Sequence, residues 1–262
     1  MRLLAGLLLL LVAGCGDSVA TGDGAAHGLK IDRYAIHSRY AHRTLRQVTA
    51  SPGPGRPLLV FLHGRGKNGE ESNANDAFFA ALASLGTAAP DVVFPSGGEA
   101  SYWHRRASGD WGAYVLKEVI PQAVRRLHAD PKRIAIGGIS MGGFGAFDVA
   151  RLAPGRFCAV GGHSAAMWFR GGDTPAGAFD DADDFAANDL VAIARRQGRA
   201  AWGTAKLWLD GGTADPFRQA DEAFAQGLGI RMRHWKGAHT SDYWHAHYRT
   251  YLRFYARALR IC

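Results

Sequence analysis

The 262-residue chain has only three cysteines, Cys15, Cys158 and Cys262, too few for a disulfide framework. No group of Cys and His has the spacing of metal ligands, so no metal is expected, and no cofactor is expected either. There is no internal repeat and no heptad run, which sets aside solenoids and coiled coils. Beyond the first residues no apolar run is long enough to cross a bilayer. Acidic residues are fewer than basic ones, 23 against 31, which leaves a formal charge of +8. The cations are nonetheless scattered, in short pairs such as Arg105-Arg106, Arg125-Arg126 and Arg195-Arg196. Without a basic helix or an aromatic RNA-binding signature, nucleic acid is not an expected partner. The surplus reads as a solvated surface that tolerates anionic envelope polymers.

What is present begins with the N-terminus. Leu3 to Val12 is almost purely apolar and follows Met1-Arg2, and Ala13-Gly14 precedes Cys15. That run has the length of a signal-peptide core and is too short to span about 30 Å of hydrocarbon as a helix. Leu11-Val12-Ala13-Gly14-Cys15 resembles the bacterial lipobox, in which the cysteine receives lipid and becomes the new N-terminus. Residues 1–14 are therefore expected to be a cleaved signal peptide. Residues 15–28 are expected to be a flexible tether held to the membrane through Cys15, because Gly16 to Gly28 is small and polar. Export would also permit Cys158 and Cys262 to pair, which depends on a separation in space that the sequence leaves open.

Residues 29–262 fit one domain. Short apolar runs (Leu58 to Leu62, Val92 to Phe94, Ile134 to Ile136, Ala159-Val160, Leu207 to Leu209, and Ile230 to His234) alternate with helical stretches. The expected helices are Asn73 to Leu85, Ala113 to Leu127, Gly143 to Leu152, Phe217 to Gln226 and Tyr243 to Leu259. This alternation predicts an α/β fold with a mostly parallel sheet covered on both faces, preceded by antiparallel strands within Leu29 to Thr49. Functional loops then lie at the carboxyl ends of the strands.

Gly138-Ile139-Ser140-Met141-Gly142 fits G-x-S-x-G between a buried strand and a helix. A serine on so sharp a turn needs neighbours without side chains, which Gly138 and Gly142 supply. Gly143 and Gly145 are read as letting the helix approach the sheet. The Met141 N–H, at the helix N-terminus, is a natural oxyanion donor. A second donor is expected after Leu58 to Leu62, where His63-Gly64-Arg65-Gly66 follows; the Arg65 N–H is the candidate. His63 is assigned a loop-supporting hydrogen bond, and the Arg65 side chain is placed within reach of a carboxylate on a substrate. A nucleophilic serine needs a histidine oriented by a carboxylate, in the chain order Ser, acid, His. Asp215 on the loop after Leu207 to Leu209, and His239 after the last strand, fit that order. Asp210 is assigned to holding the Gly211-Gly212 turn, and Asp242 to capping the final helix. His245 and His247 are read as packing or surface residues, and His163 as a possible lining residue.

Taken together, Val60-Phe61-Leu62-His63-Gly64, Asp110-Trp111-Gly112, Gly138 to Gly143, Gly212-Thr213-Ala214-Asp215 and Gly237-Ala238-His239 followed by Trp244 run in a recognisable order. In that order the chain, over roughly Leu29 to Leu259, resembles the esterase D and mycolyltransferase-type branch of the α/β-hydrolases, which includes feruloyl-type esterases. The resemblance implies the α/β-hydrolase fold without a large lid domain. It implies ester hydrolysis through an acyl-enzyme on Ser140, with Asp215 and His239 completing a triad, on a small-molecule or carbohydrate ester. Acyl transfer to a carbohydrate is the enzymatic alternative, and a catalytically silent envelope binding protein the non-enzymatic one. Trp103, Trp168 and Trp244 are candidates for flanking the cleft, though packing is the commoner fate of tryptophan.

Overall fold

The computed structural model describes residues 22–262. The expected signal peptide and the lipidation site Cys15 lie outside the described residues. Nine strands form one sheet: β1 (Gly22–Ala26), β2 (Leu29–Ser38), β3 (Arg43–Ser51), β4 (Pro57–Leu62), β5 (Asp91–Pro95), β6 (Asp130–Ile139), β7 (Ala159–His163), β8 (Lys206–Gly212) and β9 (Arg233–Trp235). Their spatial order is β1-β2-β3-β5-β4-β6-β7-β8-β9. The first three strands run antiparallel, β3 meets β5 antiparallel, and every later neighbour is parallel. The antiparallel entry and the parallel core are thus as the sequence predicts.

Six helices of at least a turn and a half matter to the site: α1 (Asp76–Ala83), α2 (Ile120–Leu127), α3 (Met141–Arg151), α4 (Leu190–Gln197), α5 (Arg218–Leu228) and α6 (Ser241–Arg260). The central strands show why both faces are covered. Leu58 to Leu62 is wholly buried; Leu58, Val60 and Leu62 join the core beneath α2 to α5, while Leu59 and Phe61 join the core beneath α1 and α6. Alternating side chains of one strand therefore feed two opposed cores, and a run with no polar residue is the sequence form of that arrangement.

Three expectations need correction. Part of the supposed tether is sheet: Gly22–Ala26 pairs along β2, from Gly22 opposite Arg33 to Ala26 opposite Leu29, because backbone hydrogen bonding suffices to add an edge strand with little side-chain content. The last strand is only Arg233–Trp235, shorter than Ile230 to His234 suggested. The excursion between β7 and β8 also holds helices that were not expected, Ala182–Ala187 and α4. Asp181 and Asp189 cap them through side-chain oxygens, on Asp184 N–H and Ala192 N–H. This excursion is tied to the body by Arg106 to Asp180 and His104 to Asp184, at 2.9 and 3.1 Å.

Asp110-Trp111-Gly112 now has a local meaning. The Asp110 side chain accepts from Ala113 N–H at 2.9 Å and starts a helical stretch that runs through a π-turn, Val115–Val119, into α2. Cys158 and Cys262 form a disulfide with Cα atoms 5.7 Å apart, fastening the end of α6 to the start of β7.

Candidate active site

Ser140 joins β6 to α3 at φ 55° and ψ −119°, a conformation that few residues other than glycine adopt. The surrounding chain over-determines it. A Cβ on Gly138 would lie 2.5 Å from the Gly142 carbonyl and from Leu62 O, and a Cβ on Gly142 would lie 2.1 Å from Leu62 O. The elbow is thus pressed against the end of β4, and its glycines are steric necessities. Ser140 N–H donates to His163 O at 3.0 Å, which pins the turn to β7 as well.

Three side chains from three loops then meet. Ser140 Oγ lies 2.9 Å from His239 Nε2, and His239 Nδ1 lies 3.1 Å from Asp215 Oδ2. Asp215 accepts a second bond on Oδ1 from Phe217 N–H at 2.9 Å. The carboxylate is acceptor-only, so the imidazole N–H faces it from Nδ1, and Nε2 is left to accept the serine proton. Burial pushes the Asp215 carboxyl up, but the bond and charge of His239 and the Phe217 N–H outweigh it and leave the group below the usual range. The loops carrying acid and base are stitched together by backbone. Thr213 N–H donates to Trp235 O at 2.9 Å and Ala214 N–H to Gly237 O at 2.8 Å, an approach so close that a Cβ on Gly212 would sit 2.4 Å from Gly237 O. Gly212 and Gly237 of the two motifs are the residues of that contact.

The loop after β4 passes directly over the serine: a Cβ on Gly64 would be 3.3 Å from Ser140 Cβ. Arg65 follows it, and Met141 opens α3, where the first N–H groups have no partner within the helix. His63 has the supporting role expected. Its Nε2 accepts from Gly97 N–H at 2.8 Å, and its Nδ1 donates to Gly64 O at 2.6 Å. Burial pushes the imidazole pKa down, which keeps the ring neutral and both bonds in place. The Arg65 guanidinium donates to Ala176 O at 3.5 Å.

Several site expectations change. Trp103 does not flank a cleft: it is fully buried, its indole N–H donates to His63 O at 3.3 Å, and its ring meets His63 edge-on at 5.1 Å. It wedges the Gly64 loop against α3. Gly145 serves that wedge and not the sheet, since a Cβ there would be 2.4 Å from the Trp103 ring. Trp168 and Trp244, both half-buried, do stand by the site. Phe217 packs 4.9 Å from His239 and 4.9 Å from Trp168, and Trp244 meets His239 edge-on at 5.1 Å. Both indole N–H groups are buried, and among the described residues neither has a hydrogen-bond partner. A cavity of about 290 Å³ opens beside Trp168 and Phe217.

His163 does not line the site, and Asp210 does not hold the glycine turn through backbone bonds. They are buried together behind it. His163 Nδ1 lies 2.6 Å from Asp210 Oδ1, which also accepts from Trp208 Nε1 at 2.6 Å, while Oδ2 accepts from Tyr243 and Tyr251 hydroxyls at 3.2 and 3.0 Å. Asp210 is structural, as expected, but through side chains. Nor does Asp242 cap the last helix. Thr240 is the cap residue, with no side-chain bond, and Asp242 only places its charge in the first turn. His247 stacks on Trp235 at 4.3 Å, a packing role.

One buried acid beside the site escaped the sequence reading. Asp221 of α5 is fully buried and, among the described residues, meets no side-chain donor, only the backbone N–H groups of Ala165 and Met167. Its Oδ2 and that of Asp215 lie 3.9 and 4.0 Å from where a Gly211 Cβ would stand. Burial, then the charges of Asp215 and Asp210, push the Asp221 carboxyl well above the usual range. An unfolded chain releases that proton near pH 4 and the folded chain retains it, so this residue subtracts stability increasingly as pH rises above 4. Asp221→Asn, which does not titrate, should therefore gain melting temperature relative to the parent between pH 5 and pH 8. A gap that stays constant over that range in thermal melts would mean that Asp221 is already ionised in the folded protein.

The parallel sheet, the serine elbow and the adjoining acid and base loops define an α/β-hydrolase. Residues 45–254 match the Esterase family, described as "Putative esterase", and the chain belongs to that family. Among curated proteins it is 28% identical over 116 residues to an esterase of Mycobacterium tuberculosis, covering 41% of this chain and 25% of that one. It is 25% identical over 173 residues to the diacylglycerol acyltransferase/mycolyltransferase Ag85A of Mycobacterium gordonae, covering 62% of this chain and 51% of that one. The matched region thus spans between a quarter and about half the length of these relatives. A ferulic acid esterase structure superposes with a TM-score of 0.75 at 22% identity, covering 88% of this chain and 98% of the other. An S-formylglutathione hydrolase from Agrobacterium tumefaciens gives 0.75 at 16% identity, with 91% and 98% covered.

Proposed function

We propose that this protein is a serine carboxylesterase working through an acyl-enzyme on Ser140. The observation that carries the reading is the unbroken chain from Ser140 Oγ through His239 to Asp215, at 2.9 and 3.1 Å, ending on a serine held at φ 55°. His239 takes the hydroxyl proton as Oγ adds to the ester carbonyl, and Asp215 holds the resulting imidazolium. The N–H groups of Met141 and Arg65 receive the oxyanion. The alcohol leaves with the proton from His239, and the same histidine then deprotonates water for release of the acid. Water as the acceptor is supported by the exposure of the base: the His239 side chain is 21% exposed. Acyl transfer in place of hydrolysis is the second reading, favoured by the likeness to the acyltransferase Ag85A, with a carbohydrate as the proposed acceptor.

Trp168, Phe217 and Trp244 beside His239 favour an ester with a flat or sugar-like moiety, which packs on their rings. The protein is proposed to act outside the cytoplasm, anchored by lipid on Cys15. The Cys158–Cys262 disulfide supports an oxidising compartment.

The test is a fluorophosphonate probe, which phosphonylates a serine only where a base activates it. One adduct per chain is expected, located on Ser140 by peptide mass spectrometry and suppressed by prior incubation with a hydrolysable aryl ester. An intact folded protein that takes up no probe at Ser140 would exclude the enzymatic reading in favour of a silent binding protein.

A further inference from the structure

The sheet is incomplete along one edge. β9 pairs only with Asp210, Gly211 and Gly212, so among the described residues no strand covers the first residues of β8, Lys206 to Leu209, on that side. The gap beneath β9, closed from below by α6, is a recess of about 590 Å³. It lies at the amino ends of the parallel strands, away from the serine. Ser241, at the start of α6, stands beside the catalytic histidine, and Arg257 stands about 25 Å further along the helix axis at 1.5 Å per residue.

Five cations from four elements line the recess: Arg199 before β8, Lys206 in it, Arg233 on β9, and Arg253 and Arg257 one helical turn apart on α6. No Asp or Glu lines it. Among the described residues none of the five is ion-paired with a carboxylate. The dipole of α6 accounts for a cation in its last turn. It does not account for Arg199, Lys206 and Arg233, which converge on the same space from other parts of the chain.

Five like charges around one recess repel one another, and an anion placed among them relieves that repulsion while meeting several donors. The guanidinium of Arg233 is already oriented, 3.6 Å from the Trp208 ring centroid. Between the charges the walls are apolar: Leu207, Trp208, Ile230 and Phe254, with Ile261 at the rim, 68% exposed. A free inorganic anion has no use for that surface. A molecule with an anionic head and an apolar body uses both parts.

We propose that this recess binds a phosphate-bearing amphiphile, the head and first chain segments of an acidic phospholipid. Arginine forks suit the phosphate oxygens, and the apolar wall takes the acyl chain. Engaged in this way with a lipid surface, the protein presents the opposite end of the sheet, with Ser140, to the aqueous side. The inference is independent of what reaction Ser140 performs.

The experiment uses the purified protein and three soluble probes: dihexanoyl phosphatidylglycerol, dihexanoyl phosphatidylcholine and inorganic phosphate, each titrated calorimetrically below micelle formation. Phosphatidylglycerol should bind at least about tenfold more tightly than either of the others, and its affinity should fall as salt shortens the screening length from about 10 Å at 0.1 M. The double variant Arg253→Ala with Arg257→Ala should lose at least about tenfold in that affinity, with ester turnover and melting temperature unchanged. Ile261→Ser should weaken phosphatidylglycerol and leave phosphate binding as it was. Equal affinity for phosphatidylglycerol and phosphatidylcholine, or full affinity in the double variant, would overturn the site. Phosphate binding as tight as phosphatidylglycerol would overturn the amphiphile and leave an anion site only.

Discussion

Ser140→Ala should remove turnover of a p-nitrophenyl ester by about 10⁶-fold and leave the protein folded, since loss of the nucleophile alone costs about as much as loss of a whole triad. The reason lies in how little Oγ does for the fold. The elbow is held by Ser140 N–H on His163 O, by Phe144 N–H on Ser140 O, and by the contact of Gly142 with the end of β4. All three are backbone features that alanine keeps, and alanine tolerates φ 55° no worse than serine. The only bond lost is that to His239 Nε2, on a ring whose side chain is 21% exposed and can be reached by water. The melting temperature should therefore stay close to that of the parent, measured on the same sample as the rate. A residual acceleration of 10³- to 10⁴-fold over water is compatible with intact oxyanion donors. Turnover like that of the parent in a folded Ser140→Ala protein would mean that another group attacks the ester.

The elements that a single sequence displayed are those where one constraint dominates. Leu58 to Leu62 reads as a strand because burial on both faces permits no polar residue. The serine elbow is visible because steric exclusion at Gly138 and Gly142 leaves no other residue type. Asp215 and His239 are picked out by chain order together with their places on the loops after the last two strands. What stayed hidden depends on distant pairings. Nothing in Asp210 or His163 announces that they will share a buried cluster with Trp208, Tyr243 and Tyr251, because the cluster as a whole draws on two strands and a helix. Trp103 looked like a cleft residue until its contacts with His63 and the absent side chain of Gly145 placed it inside. The helix α4 was legible in hindsight: Asp189 before Leu190-Val191-Ala192-Ile193 is a cap followed by an amphipathic run, and a parallel β7–β8 connection requires a crossover of about a dozen residues or more.

Asp215→Asn should cut turnover on the order of 10⁴-fold with little change in folding, as when a triad carboxylate is lost elsewhere. The hydrogen bonds at this residue explain why so small a change is so costly. Oδ1 accepts from Phe217 N–H, and Oδ2 faces His239 Nδ1. In the asparagine variant the amide oxygen must stay on Phe217 N–H, since an NH₂ there would put donor against donor. The NH₂ is then directed at Nδ1, which must give up its hydrogen to accept. The proton moves to Nε2, the nitrogen that has to receive the one from Ser140, and the base is held in the wrong tautomer. Asp210 provides the contrast. Its four donors come from His163, Trp208, Tyr243 and Tyr251, all buried, and none touches Ser140 Oγ or the His239 ring. Asparagine there supplies one acceptor oxygen and turns an NH₂ towards the remaining donors, so Asp210→Asn should cost about 1–3 kcal/mol of stability for each buried donor left unpaired. The fraction that stays folded should hydrolyse ester within a few-fold of the parent rate. Thermal melts and active-site-titrated rates on both variants separate the two roles. If Asp215→Asn keeps near-normal turnover and Asp210→Asn loses it without unfolding, Asp210 is the acid that orients the base.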